Sequence, residues 1–198
     1  MKLGILGGTF DPVHEGHLAL ARAAREQLDL DKVIFIPSLT PPHKTSRRDL
    51  APAQHRFHMV ELAVKNCQGF EVSDIEFKHP ESPYTVDTLR ALKKQYPKDR
   101  LYLIMGGDSA AEFSTWREPE AIEALATLAA APREGNLKTS ERPGMLKIRM
   151  SPCLISASEI RRRIGRGEKN PAGMLPREIE SYIEKMNLYR KLNRDAAS

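Results

Sequence analysis

A short stretch near the start of the chain carries residue types that suit phosphate binding: GGTFDPVHEGH, at residues 7–17. It follows the apolar run at 3–6, which is typical of a short buried strand. Its two leading glycines allow a tight turn that presents backbone N–H groups. His14 and His17 then lie on one face at the start of a predicted helix. Because a helix start attracts anions, two imidazoles there can add hydrogen bonds to phosphate oxygens.

The same stretch also fits a purely structural role, in which glycine and Asp-Pro form a turn and the histidines cap a helix or face solvent. A metal site would need a third ligand beside the histidine pair. The nucleotide-binding motifs GxGxxG and GxxxxGK[ST] are both absent from the sequence. The glycines and the strand before them favour phosphate binding over the structural role.

A second candidate segment, PSLTPPHKTSRR, follows the apolar run at 33–36. Its paired prolines stiffen a loop that projects His43 and Lys44. A flexible lysine on such a loop can bring a mobile positive charge to a triphosphate. The alternative is an exposed proline-rich loop whose charges are only solvated.

A third segment, GGDS, follows the apolar run at 101–105. Its glycines and Asp108 place backbone N–H groups and a carboxylate at a predicted strand end. The same aspartate is predicted to cap a helix over 109–113, and capping does not exclude a contact with a ligand.

A fourth segment, LISASEIRRR, lies late in the chain. Ser156 and Glu159 have the spacing of a capping box, which predicts a helix start. Ser158 adds a hydroxyl to the first turn, and Arg161 lies one turn further along. These groups form a second candidate anion site, although a capped helix with a solvated basic face explains them equally when they are taken alone.

The elements that must position these segments alternate along the chain. Strands are predicted at 3–6, 33–36, 70–77, 101–105, 127–131 and 147–150, and helices at 16–28, 53–65, 86–95, 109–113, 119–125, 157–164 and 176–187. The alternation predicts an α/β fold, a Rossmann-like open and mostly parallel sheet with helices on both faces. Residues 1–189 are predicted to form a single domain with a C-terminal helical part from about 156, followed by a frayed tail at 190–198. Ligands bind such sheets beyond the carboxyl ends of the strands, where the candidate segments fall.

The composition narrows the class of protein. The 198 residues are 40% hydrophobic and 29% charged, as in ordinary globular proteins. No apolar run has the length of a membrane span and no signal peptide is evident, so we expect a cytoplasmic protein without membrane contact. Cys67 and Cys153 lie far apart, which argues against a disulfide framework or a thiolate zinc site.

The net charge of +5 leaves two kinds of partner open, nucleic acid and small phosphorylated substrates. Basic residues crowd the ranges 44–56 and 161–169. No nucleic-acid-binding motif is present and no aromatic residues interleave the late cluster, so we expect no nucleic-acid partner.

Taken together, these segments resemble the HxGH nucleotidylyltransferases and, within them, the bacterial nicotinate-nucleotide adenylyltransferases. The resemblance rests on GGTFDPVHEGH at 7–17, SLTPPHK at 38–44, SPYTVDTL at 82–89, GGDS at 106–109 and ISASEIR at 155–161. It implies the nucleotidylyltransferase fold and the transfer of AMP from ATP to nicotinate mononucleotide, which yields nicotinate adenine dinucleotide and pyrophosphate in NAD biosynthesis. It also implies Mg²⁺ that arrives with ATP, without a dedicated set of protein ligands, and it is compatible with a homo-oligomer.

The resemblance further implies roles for individual residues. The catalytic group would be His14, His17, Lys44 and Arg161, with His17 stabilising the α-phosphate. The ATP site would comprise Gly7, Gly8, Thr9, Phe10, His14, His17, Asp108, Arg133, Ser156, Ser158 and Arg161. The site for nicotinate mononucleotide would comprise Gly8, Thr9, Lys44, Tyr84, Thr85, Gly107, Asp108 and Trp116, the tryptophan stacking on the pyridine ring.

The chain departs from the family pattern in two places. The stretch APREGN keeps Arg133, but the loop around it differs from that of the family, which affects the adenine contacts expected there. After Trp116, the stretch REPEAI replaces the aromatic and histidine-rich residues that are common in relatives. The nearest alternative is therefore a related adenylyltransferase that uses nicotinamide mononucleotide or phosphopantetheine as the acceptor.

Overall fold

The computed structural model describes residues 1–40, 50–131, 142–151, 155–168 and 173–190. Its strands are β1 (Lys2–Gly8), β2 (Lys32–Pro37), β3 (Phe70–Val72), β4 (Arg100–Gly106), β5 (Thr127–Ala131) and β6 (Leu146–Lys147). Its helices are α1 (Glu15–Gln27), α2 (Ala53–Val64), α3 (Ile75–Lys78), α4 (Thr85–Gln95), α5 (Gly107–Glu112), α6 (Pro119–Leu125), α7 (Ala157–Gly165) and α8 (Arg177–Lys185), with a 3₁₀ turn at Phe113–Thr115.

The described strands form one sheet in the order β3-β2-β1-β4-β5-β6, and every neighbouring pair is parallel. This is the strand order of the Rossmann fold, so the predicted α/β class is confirmed. The chain winds outward from β1 through β2 to β3, and from β4 to β6 on the other side. The carboxyl ends of β1 and β4 therefore flank the point where the winding reverses, which is where such sheets bind ligands.

Apolar residues cover both faces of the sheet. In β1, Leu3 and Ile5 belong to one hydrophobic cluster and Leu6 to the other, because successive side chains of a strand point to opposite faces. In β2, Ile34 and Phe35 divide between the clusters in the same way. Burial on both faces explains why these strands are continuous apolar runs rather than alternating ones.

The carboxyl ends of β1 and β2 are fastened to each other. Gly8 is paired with Pro37 in the parallel register. The backbone N–H of Ser38 and its hydroxyl both donate to the carbonyl oxygen of Gly8, at 2.9 and 3.0 Å. The first two candidate segments therefore leave the sheet side by side.

The strand predicted over 70–77 is wrong beyond Val72. Residues 75–78 form α3, and the Ser73 hydroxyl accepts the backbone N–H of Ile75 at 3.3 Å. Short polar side chains bond their own backbone in this way and turn the chain. Apolar residues at both ends of the range resembled one strand, but Ser73 and Asp74 interrupt them.

Two further predictions need correction. The cap of α5 is Gly106, and Asp108 lies inside the first turn instead of capping the helix, because β4 runs into the helix two residues earlier than expected. The strand predicted at 147–150 is instead β6, at Leu146–Lys147. The backbone N–H of Arg149 donates to the Gln27 side-chain oxygen at 2.8 Å, and the Gln27 amide nitrogen donates to the Arg149 carbonyl at 2.6 Å. The backbone of Arg149 therefore bonds a side chain and not a neighbouring strand.

Some predictions fall outside the described residues, namely those for His43, Lys44, Arg133, Cys153 and the tail at 191–198. Among the helices that the structure describes, none is long and apolar enough to cross a membrane.

Candidate functional site

The two early histidines lie at the start of α1, as predicted. His14 is the N-cap residue, in an extended conformation, and its backbone N–H donates to Nδ1 of His17 at 3.2 Å. Because Nδ1 accepts this bond, neutral His17 carries its proton on Nε2. The donor of neutral His17 is therefore its Nε2–H, on the side of the ring opposite the backbone of His14.

The rings of His14 and His17 stack, with centroids 3.7 Å apart and planes inclined by 30°. His14 is 6% exposed, and burial lowers its pKa to about 4. Its Nδ1 atom is buried and has no hydrogen-bond partner within the part of the chain that the structure describes. His14 is thus neutral near pH 7, and two positive charges on the stacked pair are disfavoured.

Phe10 fixes the other side of this pair. Its ring meets that of His17 edge to face, with centroids 5.0 Å apart. A Cβ atom on Gly8 would approach this ring to 3.1 Å, so a glycine there permits the close packing. Phe10 itself has φ of 48°, an uncommon value for a residue with a side chain. The turn after β1 is therefore shaped by its packing as well as by its glycines.

The second predicted helix start is also present. Ser156 is the N-cap of α7, and its Oγ accepts the backbone N–H of Glu159 at 3.2 Å. The carboxylate of Glu159 instead accepts from Arg162 and Arg163, at 2.9 and 2.6 Å, and the hydrogen bonds from Arg162 and then Arg163 lower its pKa to about 2. The serine half of the predicted capping box is therefore observed, while the glutamate is committed to an ion-pair network.

Arg161 joins the two helix starts. It is 4% exposed, and Nη1 of its guanidinium donates to the backbone oxygen of Asp11 at 2.6 Å. The same nitrogen lies 3.4 Å from Oδ2 of Asp11, and Nη2 lies 3.4 Å from Oγ of Ser158. The structure therefore brings α7 against the turn that precedes α1, although about 150 residues separate them in the sequence.

Asp11 is a functional candidate that the sequence interpretation missed, since Asp-Pro was assigned only to a turn. The carboxylate is 2% exposed, and Oδ1 accepts the N–H of Ala51 at 3.0 Å and the hydroxyl of Tyr189 at 2.7 Å. Burial raises its pKa, although these hydrogen bonds and the charge of Arg161 oppose the rise. No spacing in the sequence points to the partner at 189.

Arg56 is a second residue that sequence reasoning missed. It is 2% exposed, and its three nitrogens donate to three backbone oxygens, those of Ala51, Thr9 and Leu39, at 3.1, 2.7 and 3.1 Å. It thereby ties the turn after β1 to both flanks of the segment 41–49. Its place on the apolar face of α2, four residues before Val60, was the available signal.

The residues predicted to bind a second nucleotide lie at neighbouring helix starts. Tyr84 is the N-cap of α4 and Thr85 its first residue, while Gly107 and Asp108 open α5 at the end of β4. Because β4 lies beside β1, α5 starts at the same edge of the sheet as α1.

Trp116 follows the 3₁₀ turn and packs against Phe113, with ring centroids 5.5 Å apart. The guanidinium of the next residue, Arg117, lies 4.6 Å above the ring of Tyr84. The residue after Trp116 therefore contacts the start of α4, and the role of Trp116 itself stays a prediction.

Glu76 connects this region with the segment after β2. One carboxylate oxygen accepts the N–H of Leu39 at 3.2 Å, and the other lies 3.5 Å from the Thr88 hydroxyl. Burial raises its pKa to about 7, against the lowering effect of these hydrogen bonds and of Arg56. The sequence interpretation missed it because it lay within the strand predicted over 70–77.

Replacing Glu76 with glutamine should make the protein less sensitive to rising pH. The folded carboxyl has a pKa of about 7 against an ordinary value of 4.5, so between these values the folded state holds a proton that the unfolded state releases. Stability supplied by the neutral form is therefore lost as pH rises through this window. Glutamine does not titrate and still accepts from Leu39. We expect the free energy of unfolding of the variant, relative to wild type, to rise by on the order of 2 kcal/mol between about pH 5 and pH 8.

Urea denaturation of both proteins at the two pH values measures this difference. Glu81, whose side chain is 69% exposed, provides the matched control, and its change to glutamine should leave the pH dependence of wild type intact. If the free energy of unfolding changes by the same amount between the two pH values in wild type and in Glu76→Gln, the prediction is contradicted.

Comparison with known proteins shows which family the chain belongs to. A model of cytidylyltransferase-like proteins matches residues 5–163. Two similar relatives are curated under the name probable nicotinate-nucleotide adenylyltransferase. The protein from Desulfitobacterium hafniense is 42% identical, with 96% of each chain covered. The protein from Thermus thermophilus is 40% identical, over 96% of this chain and 100% of the relative.

Solved structures agree on the fold. The nicotinic acid mononucleotide adenylyltransferase of Plasmodium falciparum in complex with NaAD superposes with a TM-score of 0.74 at 21% identity, covering 95% of this chain and 97% of the other. A second structure of that enzyme, in complex with APC, gives the same TM-score at 22% identity, covering 95% of this chain and 96% of the other.

Proposed function

Because this chain belongs to the family of nicotinate-nucleotide adenylyltransferases, nucleotidyltransferases of NAD biosynthesis, we propose that it transfers AMP from ATP to nicotinate mononucleotide. The products are nicotinate adenine dinucleotide and pyrophosphate. The observation that carries the proposal is the contact of Arg161 with Asp11, because it places the helix start of His14 and His17 beside that of Ser156 and Ser158. Two anion-binding helix starts at one edge of the sheet suit a triphosphate.

The reaction needs positioning and charge stabilisation rather than an enzyme nucleophile. A phosphate oxygen of the mononucleotide attacks the α-phosphorus of ATP, and the bond to the bridging oxygen breaks as pyrophosphate leaves in line. Negative charge develops on the α-phosphate and on the leaving group. Preorganised donors that meet this charge accelerate the step.

His17 is the group we assign to the α-phosphate. Its Nδ1 is occupied by the backbone of His14, so its Nε2–H is oriented as a donor before the substrate arrives. His14 is neutral and buried, with its Nδ1 unpaired among the described residues, which favours a role as a hydrogen-bonding partner of the triphosphate rather than as a charge.

Ser156 and Ser158, with the backbone N–H groups that open α7, are the groups we assign to the β- and γ-phosphates. Nη2 of Arg161 lies beside the Ser158 hydroxyl, so its charge reaches the same helix start. Lys44 and Arg133 retain their predicted roles at the phosphates and on the adenine side. Both lie outside the described residues.

Gly7, Gly8, Thr9 and Phe10 are the residues we assign to the turn between the two nucleotides. Arg56 holds the carbonyl of Thr9, and Ser38 holds that of Gly8, so the backbone of this turn is fixed before binding. A rigid turn lowers the entropy cost of bringing two phosphate esters together.

The mononucleotide site is assigned to the starts of α4 and α5. Tyr84 and Thr85 would offer the nicotinate carboxylate a helix start, and Trp116 would stack on the pyridine ring. Gly107 and Asp108, in the first turn of α5, would meet the ribose hydroxyls. The guanidinium of Arg117 lies over Tyr84 on this side, 3.7 Å from the Glu118 carboxylate that partly offsets its charge, so the helix start is the main feature that favours a carboxylate over a neutral amide.

We propose that Mg²⁺ would arrive with ATP and would supply charge neutralisation at its phosphates. Within the described residues, no group of three or more histidine, cysteine, aspartate or glutamate side chains could hold a metal ion, so the chain offers no ready-made cage there. The cytoplasmic location and the possible homo-oligomer stay predictions.

An acceptor comparison tests the proposal. With ATP and each mononucleotide in turn, pyrophosphate release should show a kcat/KM about five- to thirtyfold higher for nicotinate than for nicotinamide mononucleotide, because a helix start favours the anionic ring substituent by about 1–2 kcal/mol. Phosphopantetheine serves as a third acceptor. Equal or better use of the amide would remove the assignment to nicotinate mononucleotide while leaving adenylyl transfer in place.

A further inference from the structure

A buried polar cluster lies behind the two helix starts, and the mechanism above does not use all of it. It consists of Asp11, Arg161 and Tyr189, all of them buried. Tyr189 follows α8 near the end of the described chain, 178 residues from the aspartate that it contacts. Its hydroxyl donates to Oδ1 of Asp11 at 2.7 Å.

The two oxygens of Asp11 have different neighbours. Oδ1 accepts from Tyr189 and from the N–H of Ala51. Oδ2 lies 3.4 Å from Nη1 of Arg161, which is longer than the roughly 2.7–2.9 Å typical of a charge-assisted hydrogen bond. The short bond of that nitrogen runs instead to the Asp11 backbone oxygen, at 2.6 Å.

We propose that Tyr189 is a positioning residue for ATP binding, acting through Asp11 on Arg161. By bonding Oδ1, Tyr189 keeps the Asp11 carboxylate from forming a bidentate ion pair with the Arg161 guanidinium. Arg161 is then anchored and charge-compensated, yet its Nη2 edge stays directed at Ser158. This inference rests on the proposed role of Arg161 at the triphosphate.

The chain around Tyr189 is shaped to deliver its side chain. The backbone N–H of Leu188 bonds the carbonyl of Ile183 at 3.0 Å as α8 ends. Asn187 and Tyr189 both have positive φ, 52° and 64°. For residues with side chains this conformation is strained and persists only where the surroundings hold it. The strained backbone turns the phenol inward to Asp11.

The test replaces Tyr189 with phenylalanine in the full-length chain, which removes only the hydroxyl. The carboxylate loses one of the two hydrogen bonds that hold its Oδ1 and can pair more closely with Arg161. The KM for ATP and the Kd for ATP measured by calorimetry should therefore rise about three- to tenfold. The KM for nicotinate mononucleotide should stay within about twofold, because the hydrogen bonds that the structure describes for the Tyr189 hydroxyl and the Asp11 carboxylate do not reach Tyr84, Thr85 or Trp116, which are assigned to the nicotinate ring.

Tyr182→Phe is the matched control. This tyrosine lies on α8, and its hydroxyl bonds Nδ1 of His55 at 2.8 Å, away from the cluster. Both variants lose one phenolic hydrogen bond, so both should melt slightly below wild type. Only Tyr189→Phe should weaken ATP binding. Equal ATP affinities in the two variants, measured below the lower melting temperature, would overturn the proposal.

Arg161→Lys separates this inference from the proposed function. If the proposal is correct, Arg161→Lys weakens ATP binding, and adding Tyr189→Phe to it changes the Kd by less than about twofold, since the fork that Tyr189 positions is gone. If Arg161→Lys binds ATP like wild type, the assigned role of Arg161 fails. If it binds ATP weakly but Tyr189→Phe alone does not, only the positioning role fails.

Discussion

His17→Ala should lower turnover by about two to four orders of magnitude while the protein stays folded. The imidazole is held by the His14 backbone and the ring of Phe10, so the hydrogen bond that we propose from it to the α-phosphate would cost no reorganisation during the reaction. Alanine cannot replace that donor, and a water molecule in its place would have to be ordered at each turnover.

Steady-state pyrophosphate release gives kcat and KM, and circular dichroism with thermal melting reports folding. His58→Ala provides a matched control, because this imidazole has a half-exposed side chain on α2 and bonds Glu61 at 3.1 Å at the surface. It should retain wild-type turnover. A His17→Ala protein that is folded and turns over within about threefold of wild type would show that the chemistry is centred elsewhere.

Arg161→Met should destabilise the protein by about 3–5 kcal/mol and weaken ATP binding as well. The loss of stability arises because methionine fills much of the volume but removes the positive charge nearest to the buried Asp11 carboxylate, leaving that of Arg56. The loss of binding arises because the charge beside Ser158 disappears. Denaturant unfolding and calorimetry with ATP measure the two effects separately.

Two comparisons isolate the cause. Arg162→Met, one residue along α7, removes a half-exposed ion pair with Glu159 and should cost no more than about 1 kcal/mol. Adding Asp11→Asn to Arg161→Met should recover part of the lost stability, because the uncompensated carboxylate is removed while an amide oxygen can still accept from Ala51 and Tyr189. If the double variant is less stable than Arg161→Met, the burial of an unpaired charge is not the cause.

Local residue patterns were sufficient to predict the order of the main elements. The apolar runs at 3–6 and 101–105 are continuous because β1 and β4 are covered on both faces, and that pattern is visible without a structure. The helix start at Ser156 was equally accessible, since the serine and the N–H that it caps lie three residues apart. Interactions within a few residues leave a signature in the sequence that reports them directly.

Competition between local signals explains the errors. At 70–77 one long strand was predicted across the apolar residues, and the hydroxyl of Ser73 instead accepts the N–H of Ile75 where the chain turns into α3. At 106–109 the aspartate was the better cap by residue type. The extended backbone of Gly106 at the end of β4 decided the helix start instead.

The sequence by itself determined the parallel sheet, the place of the candidate phosphate-binding turns at its carboxyl edge, and the histidine pair at the start of α1. Only the tertiary structure decided which distant groups complete that edge. Asp11 meets Arg161 and Tyr189 across 150 and 178 residues, and Arg56 gathers three backbone oxygens from separate segments. The physical reason is that a buried polar group must find its partners in space, and the fold rather than the spacing along the chain determines which groups are near enough to bond.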